Sequence, residues 1–231
     1  MKKITLLFFL IPMLQVVFAQ EEIAPNKIVL GGSMNFLIQN NAYPLTNTSI
    51  TPGYGGIYSN NTNDIKYTTF AINPYIGKEI NPHLLFGVQL DYRLSSNKTK
   101  DAFILGQPNL SDFESKSNLF SVGIFSRHTI NPGKLFNFYL QPYLKYTFNK
   151  EKESQDSKIT QEIKSNYIDL GLGIGVLYNI NDRMRATLRT GSINYVNGKW
   201  EIVDTGKSKN FSSFGTNLNL ATIFFGFEIK I

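Results

Sequence analysis

Few side chains in this sequence are of a type that could do chemistry. Cysteine is absent, the two histidines are His83 and His128, and no phosphate-binding or dinucleotide fingerprint is present. Ser126 and His128 are two residues apart, so they share one face if the segment is a strand. His83 follows Asn81-Pro82 in a predicted turn, where polar residues are ordinary. Since no carboxylate stands out beside Ser126 and His128 to orient the imidazole, we expect a surface polar contact rather than a catalytic pair.

The acidic residues do not predict a metal site. Metal ions are held by clustered histidines, cysteines or carboxylates. Asp101, Asp112 and Glu114 fall in one predicted loop, but they lack the spacing of a calcium-binding loop. We therefore expect no metal, no cofactor and no enzymatic activity.

The charged residues of the regular segments share one face of the predicted strands. If that face met lipid, each basic residue at mid-depth would cost about 2–4 kcal/mol. The five basic ones together would cost roughly 10 kcal/mol, comparable with the stability of a whole domain. In a membrane this face must therefore be the interior, where opposite charges can pair. The predicted interior polar network is Asp91, Arg93, Arg127, Lys145, Asp169, Arg185, Arg189 and Glu228.

The elements that position these residues are predicted to be β-strands, because apolar and polar residues alternate with a period of two. The pattern is clear from Phe136 to Phe148, where the apolar set alternates with Asn137, Gln141 and Lys145. Eight segments follow the rule, and each is long enough to span a membrane, for which a β-strand needs about 9–11 residues. They lie near residues 28–38, 67–77, 86–95, 119–130, 136–148, 168–179, 184–195 and 213–231.

The connections between these segments alternate in length. Long polar loops are predicted at 40–64, 96–117, 150–165 and 196–210, and short turns at 78–83, 131–134 and 181–183. This alternation is typical of an eight-stranded antiparallel up-and-down transmembrane β-barrel, with short periplasmic turns and long extracellular loops. Residues 200–203 (Trp-Glu-Ile-Val) either extend strand seven as a hairpin or form an ordinary loop.

Alternation alone does not distinguish a membrane barrel from a soluble lipocalin-like barrel with its apolar face inside. Two features favour the membrane barrel. Glycines lie on the charged face, where they suit a crowded small interior, and Phe and Tyr are frequent towards the strand ends of the apolar face. We expect Tyr75, Tyr139, Tyr143 and Tyr167 to fill the interior and leave no open channel. Pro74 and Pro142 lie within strands, and we expect a bulge at each.

The first residues have the layout of a secretory signal peptide. Lys2 and Lys3 precede an apolar run from Ile4 to Phe18, and cleavage is expected after Ala19. This gives a signal peptide at 1–19 and a single barrel domain at 20–231. The apolar run is too short for a helical anchor of about 20 residues. Loss of Lys2 and Lys3 lowers the net charge from +6 by two, and so mild a charge predicts no nucleic-acid partner.

The sequence resembles the small outer-membrane β-barrel proteins of Gram-negative bacteria, the OmpA/OmpX-type, porin-like barrels. The resemblance covers the chain after residue 19 and rests on short patterns at residues 30–33, 72–77, 125–128 and 170–175. It implies an outer-membrane location, contact with lipopolysaccharide, and insertion by the Bam machinery. Phe225, Phe227, Ile229 and Ile231 supply the alternating assembly signal, although the family usually ends in an aromatic residue.

Three functions are compatible with these features. The first is a non-enzymatic scaffold whose extracellular loops contact a surface ligand or an envelope complex. The second is a small passive pore. The third is a lipid-modifying enzyme of the outer leaflet, since some barrels of this kind are lipid A deacylases. These use the order His-x-Ser, which is reversed at Ser126 and His128, and these residues are expected near the periplasmic rim.

Overall fold

The computed structural model describes residues 27–40, 65–102, 111–130, 132–133, 135–217 and 223–231. The predicted signal peptide, the first long loop and the side chain of Asp101 lie outside the described residues. No helix in the described part of the chain is long and apolar enough to cross a membrane.

The described residues form nine β-strands. In chain order they are β1 (Lys27–Asn40), β2 (Ile65–Asn81), β3 (Leu84–Ala102), β4 (Ser111–Ile130), β5 (Phe136–Gln155), β6 (Lys158–Asn179), β7 (Met184–Ile202), β8 (Ser208–Asn217) and β9 (Phe224–Lys230).

The nine strands form one antiparallel sheet that closes on itself. Consecutive strands pair from β1 through β8, and β9 pairs with both β1 and β7. Starting at β1, the ring therefore runs through β2 to β7 and returns through β9. Strands β1 to β7 and β9 each pair with a neighbour on both sides, which closes the ring. Among the described residues, β8 pairs only with β7.

The ring has eight strand positions, because β8 and β9 share one of them. β8 pairs with β7 between Ser192 and Glu201, and β9 pairs with β7 between Met184 and Arg189. The sequence predicted one strand over residues 213–231, whereas the described residues of this position belong to two strands, β8 and β9. β7 is irregular between the segment that pairs with β9 and the segment that pairs with β8. Its register against β6 shifts there, beside Gly191, which has a φ of 72°. Such a left-handed glycine accommodates the extra residue of a β-bulge.

Two predicted loops are largely strand, which corrects the sequence analysis. Residues 150–165 form a hairpin in which only Asp156 and Ser157 lie outside β5 and β6, and both have positive φ. Two consecutive positive φ values are typical of the tight hairpin turn whose twist matches the flanking strands. Much of the predicted loop 96–117 belongs to β3 and β4, and β7 extends through Ile202, so the hairpin alternative for residues 200–203 is the one observed. These segments escaped prediction because they carry charged and polar residues on both faces.

The bulges expected at Pro74 and Pro142 are absent, since the register continues unshifted past both prolines. Pro74 lies opposite Leu90 in the register and has no N–H to donate. The side-chain amide of Asn73 donates to the Leu90 carbonyl instead, at 3.0 Å. A side chain thus replaces the missing backbone donor, so no extra residue is needed to relieve the ladder.

Inside the ring, aromatic rings lie over glycines directly opposite on the neighbouring strand. Tyr139 faces Gly175 and Tyr143 faces Gly171 across β5 and β6. In each pair, the tyrosine ring occupies the space that a Cβ on the glycine would need. Tyr75 with Gly31 and Phe125 with Gly87 repeat the arrangement. At these four positions the volume of the aromatic side chains therefore requires glycine.

We predict that Gly175→Val lowers the free energy of unfolding by about 1–3 kcal/mol, because the added methyl groups would displace the ring of Tyr139. Gly215→Val is the matched control. A Cβ on Gly215 would make only an ordinary contact with Asn194. Denaturant unfolding of both variants checks the prediction. Equal stability of the two variants would contradict it.

Candidate functional site

The two faces of the closed sheet differ in chemistry. Side chains alternate between buried and exposed along β2 from Ala71 to Ile80, as they must when one face points into a ring. The buried side chains include many polar and charged residues, among them Arg127, Arg185 and Glu228. The outward face is apolar, with Met34 and Phe36 more than 60 % exposed. The interior is therefore the place where charged groups are brought together.

A carboxylate from the closing strand pairs with two arginines near the short-turn end of the interior. Glu228 on β9 is 2.6 Å from Arg127 Nη1 on β4 and 2.8 Å from Arg185 Nη2 on β7. Both arginines and Glu228 are buried. β4 and β9 are four positions apart in the eight-position ring, so the pair with Arg127 reaches from one wall of the barrel to the opposite wall.

Aromatic rings and amides complete the surroundings of Arg127. Its guanidinium carbon lies 4.6 Å from the ring centre of Tyr139 and 5.1 Å from that of Tyr75. Its Nε donates to Oε1 of Gln141 at 3.1 Å, and Gln141 in turn donates to Gln89 at 3.1 Å. A buried cation is stable only when it is paired and hydrogen-bonded in this way.

A second set of polar contacts crosses the interior nearer the long hairpins. Lys145 Nζ on β5 is 2.7 Å from Asp91 Oδ2 on β3. Asn73 on β2 contacts the other oxygen of Asp91 through its amide nitrogen, and it accepts a hydrogen bond from Arg189 on β7 at 3.1 Å. Lys145 also lies over the ring of Tyr143, at 4.3 Å from its centre. Four strands are thus tied together through side chains inside the ring.

Six of the eight residues of the predicted interior network belong to the two clusters. Arg127, Arg185 and Glu228 form the first cluster, and Asp91, Lys145 and Arg189 take part in the second. Asp169 accepts a hydrogen bond from Asn194 instead, at 3.1 Å. Arg93 lies on the inward side of β3 and is exposed.

Sequence analysis missed the uncharged members of these clusters and one carboxylate. Asn73, Gln89 and Gln141 were not singled out because amides are common on polar strand faces. Glu79 was assigned to a turn, whereas the structure includes it in β2, 3.2 Å from Lys230 and 3.9 Å from Arg185. The period of two could have placed Glu79 on the inward face, because it lies an even number of residues from the inward Asn73 and Tyr75.

The candidate catalytic residues make structural contacts. Ser126 Oγ and His128 Nε2 are 3.4 Å apart, at the outer limit of a hydrogen bond. His83 Nδ1 lies 3.0 Å from the backbone oxygen of Thr129, which ties the β2–β3 turn to β4. Among the described residues there is no group of three or more His, Cys, Asp or Glu that could hold a metal ion.

Outside the ring, a band of lysines lies just beyond the apolar surface towards the long hairpins. Each of the strands β2 to β7 contributes at least one exposed lysine, and we call this set the lysine band: Lys66, Lys98, Lys116, Lys150, Lys152, Lys164 and Lys199.

Two glutamates within the lysine band are shared between several lysines. Glu162 is 2.9 Å from Lys150 and within 4.0 Å of Lys152 and Lys164, and the hydrogen bond from Lys150 is the main cause that lowers the pKa of Glu162. Glu114 is 3.0 Å from both Lys98 and Lys116. Desolvation opposes the shift, but these two hydrogen bonds still lower the pKa of Glu114. Both carboxylates are therefore ionised at neutral pH.

Comparison with known proteins gives structural similarity only. No family model and no curated protein matches the sequence. The fold is similar to the crystal structure of Neisserial surface protein A (NspA), with a TM-score of 0.41 and 14 % identity over 91 % of this chain and 100 % of that one. It is also similar to the outer membrane protease OmpT from Escherichia coli, with a TM-score of 0.40 and 7 % identity over 92 % of this chain and 99 % of that one. At these values no role is transferred from either protein.

We predict that Glu228→Gln destabilises the protein by about 3–5 kcal/mol, because it leaves the buried Arg127 without a counter-charge and leaves Arg185 with only Glu79, at 3.9 Å. Glu201→Gln is the control, since Glu201 is exposed on β7, and we expect a change within about 0.5 kcal/mol. Denaturant unfolding of both variants gives the difference. A Glu228→Gln variant as stable as the control would show that the buried pairs contribute nothing to the fold.

Proposed function

We propose that the protein is an integral β-barrel of the outer membrane. The observation that carries this proposal is the apolar outer surface of a sheet whose charged residues are inside. Phe138, Phe225 and Phe227 are each at least 60 % exposed on that surface. Soluble monomers rarely expose a contiguous apolar patch larger than about 300–600 Å², and here apolar side chains cover the outside of every strand around the ring. Lipid is the solvent that such a surface requires.

The height of the apolar surface fits a bilayer. On β6 the outward residues are apolar from Ile168 to Tyr178, which are ten residues apart. At a rise of roughly 3.4 Å per residue and a tilt of about 35–45°, this run covers roughly 24–28 Å. The apolar band of outer-membrane barrels is about 25 Å tall.

The topology supports the predicted orientation. The strand ends at Lys27 and Lys230 lie at the end of the ring that carries the short turns, and the long hairpins lie at the other end. In outer-membrane barrels short turns face the periplasm and longer loops face outside. The predicted signal peptide would deliver the chain for insertion by the Bam machinery, and the outward Phe225, Phe227 and Ile229 of β9 would supply its assembly signal.

We propose a non-enzymatic scaffold rather than a pore. Salt bridges and amide contacts cross the interior at two levels, and tyrosine rings fill the space over the interior glycines. A ring of eight strands leaves an interior just wide enough for side chains to fill. The hairpins formed by β3 with β4 and β5 with β6 would present the surface that meets an exterior ligand or an envelope complex.

We predict that the purified protein shows no stable single-channel conductance in a planar bilayer, because charged side chains and aromatic rings obstruct the interior. An established porin inserted in the same bilayer is the positive control. Regular conductance steps from the wild-type protein would overturn the filled interior and favour the passive pore.

We predict that shortening the β5–β6 hairpin by replacing residues 154–160 with a two-residue turn leaves folding intact, since the buried clusters lie elsewhere. The test is the heat-modifiable mobility of unboiled samples in gel electrophoresis, compared with Glu228→Gln as a destabilised reference. Loss of the folded band in the shortened variant would contradict a scaffold with replaceable outer hairpins.

A further inference from the structure

The lysine band contains like charges in direct opposition. Across neighbouring strands Lys66 faces Lys98, Lys116 faces Lys152, and Lys150 faces Lys164. Like charges directly opposite each other in a sheet are destabilising. With three such pairs, the lysines of the band repel one another across the sheet, so stabilisation of the sheet does not explain their placement.

The glutamates within the lysine band offset only part of this charge. Glu114 and Glu162 are shared by five lysines, and Glu201 is the third carboxylate on the outward face of the band. Seven lysines and three glutamates leave an excess of four positive charges. The lysine side chains in these ion pairs remain about half exposed, with Lys98 at 57 % and Lys116 at 62 %. They can therefore take further anionic partners.

The position of the lysine band relative to the apolar surface is regular. Only every second residue of a strand points outward. Along this outward series, on most strands, one small polar residue separates the last apolar residue from the lysine, as in the series Leu94-Ser96-Lys98 on β3. The same order is found on four other strands, in Phe70-Thr68-Lys66, Phe120-Asn118-Lys116, Ile168-Asn166-Lys164 and Tyr195-Asn197-Lys199. If the apolar surface lies in hydrocarbon, the ammonium groups lie at the depth of the lipid headgroups.

The opposite rim of the barrel differs. Among the described outward residues of the strands, the short-turn end carries a single lysine, Lys78 on β2, and no formal charge lies between it and the lysine band. On the outward face of the strands, the positive charge is therefore concentrated at the end that carries the long hairpins. An asymmetric basic surface is expected where only one leaflet offers dense negative charge.

We infer that the lysine band binds the phosphate groups of a multiply phosphorylated lipid, of the lipopolysaccharide class, in the leaflet around the long hairpins. This inference rests on the proposed membrane location. Lysines opposite each other on adjacent strands are about 5 Å apart at their Cβ atoms, which suits two ammonium groups on one phosphate. The pairs on β4–β5 and β5–β6 are displaced by one strand spacing, about 4.8 Å, and by two residues along β5, about 7 Å, which makes them roughly 8 Å apart. One headgroup with two phosphates can therefore engage both.

The test measures binding of diphosphoryl lipid A to the full chain folded in neutral detergent micelles. The variant Lys116→Gln/Lys150→Gln/Lys164→Gln removes one lysine from each of three adjacent strands. The matched control, Lys158→Gln/Lys207→Gln/Lys209→Gln, removes the same charge from exposed lysines outside the lysine band. We expect the first variant to bind about 10- to 100-fold more weakly than wild type and the control to stay within about twofold.

Several outcomes would overturn the inference. Equal losses in the two variants would indicate attraction by net charge alone, and equal binding of dephosphorylated lipid A would exclude phosphate as the recognised group. Competition by inorganic phosphate at the same concentration as the lipid would indicate a site for free anions. If the triple variant does not fold, the wild-type protein is tested instead at two salt concentrations. Raising the salt from roughly 0.05 M to roughly 0.5 M should weaken the binding of a phosphorylated lipid. An unchanged affinity would overturn the inference.

Failure of the inference is distinguishable from failure of the proposed function. Insertion of the wild-type chain into phosphatidylcholine vesicles, followed by its heat-modifiable mobility, tests the membrane barrel without any anionic lipid. A chain that inserts but shows no preference for the phosphorylated lipid refutes the lysine band alone. A chain that does not insert refutes the membrane location as well.

Discussion

The buried salt bridge between Arg127 and Glu228 connects the strand that closes the barrel to the opposite wall. Among the described strands, β9 is the shortest, with seven residues, and it joins β1 to β7 at the short-turn end of the ring. Its inward Glu228 holds Arg127 on β4 and Arg185 on β7. Closure is thus supported by backbone pairing at the wall and by ion pairs through the interior. A closed ring with charges inside can present an apolar outer surface between its two rims, and this surface is the basis for the proposed membrane location.

The interior follows from a constraint on volume. Eight strand positions enclose little space, and a buried arginine needs both a counter-charge and a surrounding of rings or amides. The aromatic rings over Gly31, Gly87, Gly171 and Gly175 fit because those positions carry no side chain. The size of the aromatic rings, the positions of the glycines and the pairing of the charges therefore depend on one another. Because these side chains fill the interior, we expect no water-filled passage.

Much of this arrangement could be predicted from the sequence, because a period of two assigns each residue to a face. The alternation along β5 and β6 predicts that Lys145 and Asp169 lie on the inward face. The partners within the interior could not be predicted, since contacts such as Arg127 with Glu228 join residues far apart in sequence. The hairpin over residues 150–165 was missed because its cross-strand lysine–glutamate contacts lack an apolar pattern. The bulge at Pro74 was wrongly expected because the compensating amide of Asn73 becomes visible only in three dimensions.

The central claim, that the outward face of the barrel lies in lipid, can be measured directly on β5. The chain has one tryptophan, so Trp200→Phe gives a silent background for tryptophans placed at the outward positions Phe136, Leu140, Leu144 and Phe148. Brominated lipids that quench at known depths then report where each tryptophan lies. We expect Leu140→Trp and Leu144→Trp to be quenched most by bromines near the bilayer centre, and Phe136→Trp and Phe148→Trp by bromines near the headgroups. Absence of quenching, or equal quenching at all four positions irrespective of depth, would contradict a membrane-spanning barrel.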